Sequence, residues 1–185
     1  MGIMGLNRVL VIDIESTGLD PARHACIEIG AVLLDEELNP VDEFSSLIAP
    51  WEGAEINQES MAVNKISIEK LYHASDFRQV VTEFHQRFSS TQSVPVLAGW
   101  NVWFDAAFMR QLYEKAGLKW PFGHRFLDIQ SVVLFFSRFR GMSLEKTAQA
   151  LLGEKQTHRA MDDTWQTVKI LQRYAQKHLS ASSND

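Results

Sequence analysis

The chain has 185 residues, and 45% of them are hydrophobic, which is enough to bury the core of one domain of ordinary size. Its formal net charge of −5 excludes the broad positive field of highly basic nucleic-acid-binding domains, unless the negative charge is concentrated at a site that binds cations. A single cysteine, Cys26, excludes an internal disulfide, and no apolar run has the length of a membrane span or the pattern of a signal peptide, so we expect a cytoplasmic protein without a membrane partner.

Apolar periodicity divides the chain into alternating strands and helices. The sequence predicts, in order, strands at 9–12, 27–34 and 41–48, helices at 57–64, 67–72 and 76–88, a strand at 94–100, a helix at 104–116, a strand at 126–129 that leads into a helix ending at 139, and helices at 143–152 and 160–178. Strands first, followed by alternating strand and helix, predict a mixed sheet with helices on both faces. We expect a single domain over 1–178 and a disordered tail over 179–185.

Two carboxylates stand at the end of the first predicted strand. Asp13 and Glu15 are separated by one residue, and because side chains alternate across a strand, both point to the same face. Adjacent anions at the end of a buried strand repel each other, so either their pKa values rise or a cation lies between them. A pair of oxygen ligands favours Mg²⁺ or Mn²⁺ over zinc. Taken alone, the spacing is also that of a solvated strand end without a function.

A third acidic residue lies where another helix begins. Asp105 ends the segment Asn101-Val-Trp-Phe-Asp105, which follows an apolar strand, so its carboxylate lies near the positive end of the helix dipole. An acid in this position either belongs to a site at the end of the strand or only complements the dipole. The segment alone leaves both interpretations open.

The last acidic cluster lies at the start of the final helix. Five helical residues rotate by about 140°, so His158 and Asp163 would diverge if both were helical, and we expect His158 in the preceding loop. Asp162 falls on a polar stripe, whereas Asp163 falls on the packed face, where a carboxylate needs a partner such as a cation. The stripe also contains Gln166, Lys169 and Arg173, and the packed face also contains Ala160, Thr167, Ile170, Leu171 and Tyr174.

Taken in chain order, these clusters resemble the motifs of the DEDD exonuclease superfamily in its histidine-bearing (DEDDh) branch, to which proofreading exonucleases, ribonuclease T and oligoribonucleases belong. Asp13 to Leu19 resembles the first motif, Asn101 to Asp105 the second, and the His158 and Asp163 pair, five residues apart, the third. The segments Ile27-Glu-Ile-Gly-Ala and Phe126-Leu-Asp128 also resemble the family, although Asp128 is expected to be structural. The resemblance extends over residues 9–175.

The resemblance implies an α/β fold of the ribonuclease H-like type, in which a five-stranded mixed sheet combines an antiparallel meander with parallel strands and is flanked by helices. It implies a metal-dependent 3′–5′ exonuclease that releases nucleoside 5′-monophosphates from single-stranded DNA or RNA. Two divalent cations, Mg²⁺ or Mn²⁺, would be bound by Asp13, Glu15, Asp105 and Asp163. His158 would either accept a proton from the attacking water or only donate a hydrogen bond to the phosphate.

The resemblance also implies where the substrate binds. The residues assigned to substrate binding are Ser16, Thr17, Gly18, Leu19, Asn101 and Phe104. The aromatic residues Trp100, Trp103 and Phe104 either stack on bases or pack in the core. Two departures from the family concern substrate preference: Trp100 stands where many relatives have histidine, and Val63-Asn-Lys65 replaces a commoner His-Gly pair.

Several questions stay open from the sequence. It does not distinguish DNA from RNA, because contacts to the 2′-hydroxyl depend on the shape of a pocket. It does not determine whether the protein forms a homodimer or associates with a polymerase. The alternative functions are an accessory or catalytically idle nucleic-acid-binding module and a phosphodiesterase for small nucleotides.

Overall fold

The computed structural model of the protein describes residues 8–89, 94–137 and 143–179. Its strands are β1 (Val9–Ser16), β2 (Cys26–Leu34), β3 (Pro40–Leu47), β4 (Val96–Gly99) and β5 (Phe126–Asp128). They form one five-stranded sheet in the order β3-β2-β1-β4-β5. Strands β1, β2 and β3 pair as an antiparallel meander, and β4 and β5 continue the sheet from β1 as parallel strands. The predicted mixed sheet is confirmed.

Seven helices accompany the sheet in the described part of the chain. They are α1 (Gln58–Asn64), α2 (Ile68–Tyr72), α3 (Phe77–Ser89), α4 (Val102–Lys115), α5 (Ile129–Phe136), α6 (Leu144–Leu152) and α7 (Ala160–Leu179). Side chains that accept a backbone hydrogen bond fix where several of them begin, as Ser67 does for α2 and Ser143 for α6. Asp128 does the same for α5, which confirms its expected structural role. None of the described helices is both long and apolar enough to cross a membrane.

The alternation of side chains along β1 produces two hydrophobic layers. Leu10 and Ile12 face one side of the sheet and pack with α3 and α4, whereas Val9 and Val11 face the other side and pack with α5, α6 and α7. Strand β2 is buried along its whole length because its neighbours β1 and β3 cover its edges and helices cover its faces. The acidic end of β1 therefore lies between two packed layers.

Several predicted boundaries were wrong by a few residues. Strand β1 continues to Ser16, because pairing with β2 extends beyond its apolar part. Helix α4 begins two residues earlier than predicted, and β4 is shorter than the predicted 94–100. Helix α5 ends at Phe136, since Ser137 is extended with φ −109° and ψ 150°, and the predicted end at 139 lies outside the described residues. Of the predicted tail, only Leu179 is described, and it ends α7.

Candidate active site

Three carboxylates meet where β1 passes the start of α7. Asp13 and Glu15 are half-buried on the same side of β1, and Asp163 is buried in the first turn of α7. One oxygen from each of the three lies within 4.8 Å of the others. A compact group of carboxylate oxygens is the ligand set of a hard divalent cation.

A glycine on β2 lets α7 approach closely enough to deliver Asp163. Gly30 is paired with Asp13 in the sheet. A Cβ atom at this position would lie 2.5 Å from the backbone carbon and oxygen of Ala160, the first residue of α7. Any larger residue would therefore push the helix, and Asp163 with it, away from the strand.

Asp105 joins the site from a separate helix. It is only 3% exposed, and its Oδ1 accepts a hydrogen bond of 3.0 Å from the backbone N–H of Ile14, between the two acids of β1. This bond fixes the first turn of α4 to β1. Asp105 is therefore more than a surface acid that complements the helix dipole, although it lies outside the compact group of three.

All four acids line one cleft of about 360 Å³. The lining residues are Asp13, Ile14, Glu15, Trp100, Asn101, Phe104, Asp105, Gln130, Ser143, Leu144, Gln156, His158 and Asp163. Asn101 precedes α4 in the left-handed conformation, with φ 58°, and its side chain makes no capping hydrogen bond, so the amide is available to a ligand in the cleft.

The surroundings of these acids disfavour their charged forms. Burial, followed by repulsion from Asp163, raises the pKa of Glu15 to about 8. Burial also raises the pKa of Asp105 to about 8, even though the hydrogen bond from Ile14 favours its ionised form. The pKa of Asp13 lies well above its ordinary value because it is desolvated and then repelled by the other acids. A cation would remove both penalties.

One buried oxygen in the group has no hydrogen-bond partner. Burial raises the pKa of Asp163, and a hydrogen bond of 2.5 Å from Gln156 Nε2 to Oδ2 counters this effect. The other oxygen, Oδ1, is buried and accepts no hydrogen bond among the described residues. A buried carboxylate oxygen without a partner, on a residue grouped with two further carboxylates, fits a bound divalent cation.

We expect the metal-free protein to lose stability as the pH rises from about 5 to about 9. Glu15 and Asp105 have folded-state pKa values above their ordinary values, so the folded state holds more protons than the unfolded state through this range. The stabilisation that protonated Glu15 and Asp105 give the folded protein is complete below the ordinary pKa values of these two side chains. It is lost as the pH rises past about 8. Melting temperatures measured in chelator across this range test the slope.

The same melting curves in excess Mg²⁺ provide the comparison. Because the cation binds the ionised carboxylates, its stabilising effect should grow with pH and flatten the decline. Glu15→Gln should reduce the slope in chelator. A flat profile in chelator, or Mg²⁺ stabilisation that does not change with pH, would contradict the assignment of a cation to this group.

His158 lies in the loop between α6 and α7, as predicted, and lines the cleft. Its backbone is left-handed, with φ 55°. Side chains of α7 and the loop hold this segment in place: Thr157 Oγ1 donates to Asp162 Oδ2 over 2.8 Å, and Gln166 Nε2 donates to the carbonyl oxygen of Lys155 over 2.9 Å. These two hydrogen bonds therefore hold in place the part of the loop that leads to His158.

The predicted faces of α7 are confirmed for the two adjacent acids. Asp163 is 1% exposed, and Asp162 is exposed. The prediction was wrong for Gln166, which was assigned to the polar stripe but is only 5% exposed. Gln166 is covered because its amide donates a hydrogen bond to the loop that precedes α7. That loop lies over a face of α7 that helical periodicity alone predicts to be exposed to solvent.

An ion pair that the sequence reasoning did not identify fixes the start of α7. Glu28 on β2 is paired in register with Glu15 and is 3% exposed. Its carboxylate accepts hydrogen bonds from Nε and an Nη atom of Arg159 and a bond of 3.1 Å from the backbone N–H of Ala160. Arg159 and Ala160 lie between His158 and Asp163, so Glu28 orients both. The sequence contained one sign of this ion pair: Glu28 is the single charged residue in the apolar strand Cys26–Leu34, and a buried charge needs a partner.

Glu28→Gln is expected to lower kcat by roughly tenfold with little change in KM, because it loosens the residues that place His158 and Asp163 without touching a substrate. The free energy of unfolding should fall by about 1.5–3 kcal/mol, the range for a hydrogen bond to a charged group. Steady-state kinetics and chemical denaturation measure both. Asp42→Asn is the control, since it breaks the Arg87–Asp42 ion pair on the far edge strand β3. A similar loss of kcat in that variant would contradict a positioning role for Glu28.

The six predicted substrate residues occupy different surroundings. Asn101 and Phe104 line the cleft, whereas Ser16, Thr17 and Gly18 are buried beside it. The Thr17 hydroxyl donates to the carbonyl oxygen of Glu55 over 2.6 Å and accepts from the N–H of Ala25, so it holds the turn together. Leu19 is 79% exposed and is free to contact a ligand.

Comparisons with known proteins identify a family model and several named relatives. The family model RNase_T, described as an exonuclease, matches residues 10–171. Ribonuclease T from Haemophilus influenzae is 31% identical over 174 residues, which cover 87% of this chain and 76% of that protein. PolC-type DNA polymerase III from Thermotoga petrophila is 31% identical over 169 residues, which cover 90% of this chain but only 12% of the polymerase.

Solved structures share the fold. The zinc-bound complex of E. coli ExoI with single-stranded DNA matches with a TM-score of 0.79 at 18% identity, covering 96% of this chain and 42% of that chain. The chain therefore spans less than half of this structure and about an eighth of the first polymerase relative. The ribonuclease H-like fold that the sequence predicted is confirmed.

Proposed function

Because the chain belongs to the exonuclease family that the RNase_T model describes, we propose that it hydrolyses phosphodiester bonds from the 3′ end of single-stranded DNA or RNA and releases nucleoside 5′-monophosphates. The observation that carries this proposal is the group of Asp13, Glu15 and Asp163, whose oxygens lie within 4.8 Å of one another in a cleft that also contains His158. Ribonuclease T and the polymerase relative are named for RNA and DNA, so the sugar preference is left to experiment.

The group of three carboxylates fits one divalent cation, and we propose that the site holds two, Mg²⁺ or Mn²⁺. Asp13, Glu15 and Asp163 would bind one, and Asp13 with Asp105 would bind the other, directly or through water. When bound, the cations would activate water as a nucleophile and neutralise charge on the phosphate. This chemistry also explains how a protein with a net charge of −5 acts on a polyanion, since two cations reverse the sign of the local potential.

The remaining side chains of the cleft supply proton transfer and orientation. His158 lines the cleft and accepts the proton of the attacking water through its imidazole, and the bond from Thr157 to Asp162 holds the backbone beside it. Gln156 holds Asp163 in one orientation through its hydrogen bond. Asn101 offers an uncommitted amide to the sugar or phosphate, and Phe104 offers a half-buried ring to the terminal base.

The size of the cleft supports action on a strand end. The cleft volume of about 360 Å³ lies in the range of pockets that hold a molecule the size of one nucleotide. Leu19 is exposed at the turn after β1, and by the family resemblance it would separate the terminal base from its neighbour. A free 3′ terminus of a single or frayed strand therefore suits the site better than an internal bond.

The test uses matched single-stranded DNA and RNA oligomers, each with its 3′ end free or blocked, in Mg²⁺, Mn²⁺ or chelator. We expect mononucleotides to appear from unblocked ends only, and only with a divalent cation. A block at the 5′ end should have no effect. Cleavage of circular single strands would show an endonuclease, and binding without any cleavage would show an accessory nucleic-acid-binding module. Either result would overturn the proposal.

A further inference from the structure

One exposed side of the protein combines aromatic rings with cationic side chains. It is formed by the outer face of α4, the loop that follows it and the start of β5. We call this surface the aromatic–basic strip, and its residues are Trp103, Arg110, Lys119, Trp120, Arg125 and Phe126. None of the four acids or His158 belongs to it.

The rings of the strip are held rigidly. Trp103 packs edge-to-face on Phe126, with 4.8 Å between the ring centroids. The Arg110 guanidinium lies over two rings, 5.4 Å from the centre of Phe126 and 5.2 Å from that of Trp120. Trp120 also donates a hydrogen bond of 2.9 Å from Nε1 to the carbonyl oxygen of Gly123. Trp103 nevertheless remains 58% exposed, so a ring already fixed on one side presents a free face to solvent.

The charge of this surface is opposite to that of the whole chain. No acidic residue occurs between Glu114 and Asp128, whereas Lys115, Lys119 and Arg125 lie in that stretch. Lys119 and Arg125 are both exposed. Glu114, one helical turn beyond Arg110, is exposed and offsets its charge, and Asp128 is half-buried at the start of α5. The positive charge of this surface therefore lies on Lys119 and Arg125, in the loop beside the aromatic rings, within a chain with a net charge of −5.

The strip is continuous with the cleft. Trp103 lies between Asn101, which precedes α4, and Phe104 in its first turn, and both of these line the cleft. Arg110 lies seven residues further along α4, on the same face, which corresponds to about 10 Å of helix. The strip therefore extends from the edge of the cleft for a distance that about two or three nucleotides of a single strand could cover.

We infer that the aromatic–basic strip binds the single-stranded part of the substrate on the 5′ side of the nucleotide in the cleft. Bases stack on Trp103, and phosphates contact Lys119 and Arg125. Stacking on aromatic rings combined with contacts between basic side chains and phosphates is how single strands are bound without sequence preference. This inference rests on the proposed function, because it assigns the polarity of the strand from hydrolysis at the 3′ end.

The test compares a nitrophenyl ester of a nucleoside 5′-monophosphate, which occupies only the cleft, with an oligomer of about twelve nucleotides, which extends beyond the cleft to the strip. Trp103→Ala should raise KM for the oligomer by roughly tenfold and leave KM for the ester unchanged. Trp103→Phe, which keeps an aromatic face, should restore most of the loss. Lys119→Glu combined with Arg125→Glu should reduce the salt dependence of binding, with the slope of log Kd against log salt falling by about 1.4, because each single-strand phosphate contact contributes about 0.7.

Matched controls lie elsewhere on the surface. Tyr72→Ala removes a ring that is 83% exposed, and Lys70→Glu reverses an exposed charge, both on α2. Neither should alter KM for the ester or for the oligomer. Equal effects of Trp103→Ala on the two substrates, or no effect on either, would overturn the inference and indicate that the strip binds a protein partner or no partner.

Binding measured without turnover separates this inference from the proposed function. Fluorescence anisotropy of the labelled oligomer in chelator reports the strip even if no strand is degraded. If the wild-type protein binds in a way that depends on Trp103 but degrades nothing, the strip is supported and the exonuclease proposal fails. If it degrades the oligomer from the 3′ end and the strip variants bind like the wild type, the exonuclease proposal stands and the strip assignment fails.

Discussion

Asp163→Asn is expected to lower the single-turnover rate by roughly 10³-fold, because metal ions supply several kcal/mol of charge stabilisation in the transition state. The amide keeps the size of the side chain but loses one anionic ligand. Oδ1 of Asp163 is buried and accepts no hydrogen bond among the described residues, and one oxygen of Asp163 lies within 4.8 Å of an oxygen of Asp13 and of Glu15. Lost packing cannot account for a loss of this size in an isosteric variant.

The neighbouring residue is the control for this prediction. Asp162 is exposed, and its carboxylate accepts a hydrogen bond from the hydroxyl of Thr157. Asp162→Asn keeps an oxygen that can accept the same bond, so most of the activity should remain. Equal losses of activity in the two variants would mean that the total negative charge in the first turn of α7 controls the reaction. Asp163 would then not act as a specific metal ligand. A selective loss at Asp162 would overturn the assignment of the fourth carboxylate.

The stability of the Asp163→Asn variant gives an independent measurement. Burial raises the pKa of Asp163, so removing its charge should raise the melting temperature of the metal-free protein at neutral pH. The shift caused by Mg²⁺ should then be smaller than in the wild type, because one ligand is missing. A larger Mg²⁺ shift in the variant would contradict the ligand role.

The sequence predicted the parts of this site that depend on local periodicity. Residues i and i+2 of a strand share a face, which placed Asp13 with Glu15, and helical rotation separated Asp163 from Asp162. Both predictions depend only on backbone geometry over a few residues. The family resemblance then joined segments that are 91 residues apart, such as Ile14 and Asp105, which no local pattern connects.

Contacts between distant segments were not predictable from periodicity. Gln166 looks solvent-exposed on a helical wheel but is covered by the loop at Lys155, and Glu28 looks like an isolated charge until α7 brings Arg159 to it. These contacts depend on which segments cross in three dimensions. The boundary of β1 shifted for the same reason, since pairing with β2 extended the strand. The end of α5 has a local cause, because Ser137 adopts an extended backbone conformation.

Replacing His158 is expected to lower kcat by roughly 10²–10⁴-fold, the range for losing a general base, with little change in metal affinity. The choice of substitution matters because His158 has a φ of 55°. Asparagine tolerates this left-handed conformation better than alanine does, so His158→Asn leaves the loop undistorted. Single-turnover rates and Mg²⁺ titrations of the melting temperature, carried out for both His158→Ala and His158→Asn, separate chemistry from metal binding.

The two substitutions also distinguish the two roles open to His158. An asparagine amide can still donate a hydrogen bond to a phosphate, but it cannot accept a proton from water. If His158 is the general base, both variants should lose activity to a similar extent. If it only binds the phosphate, His158→Asn should keep much of the activity that His158→Ala loses, and the proton-transfer role is wrong. Loss of Mg²⁺ stabilisation in both variants would instead make His158 a metal ligand.

The structure favours the role of general base. His158 lines the cleft, and hydrogen bonds from Gln156 to Asp163 and from Thr157 to Asp162 tie its loop to α7. Such ties matter because a general base acts only when its distance to the water is fixed.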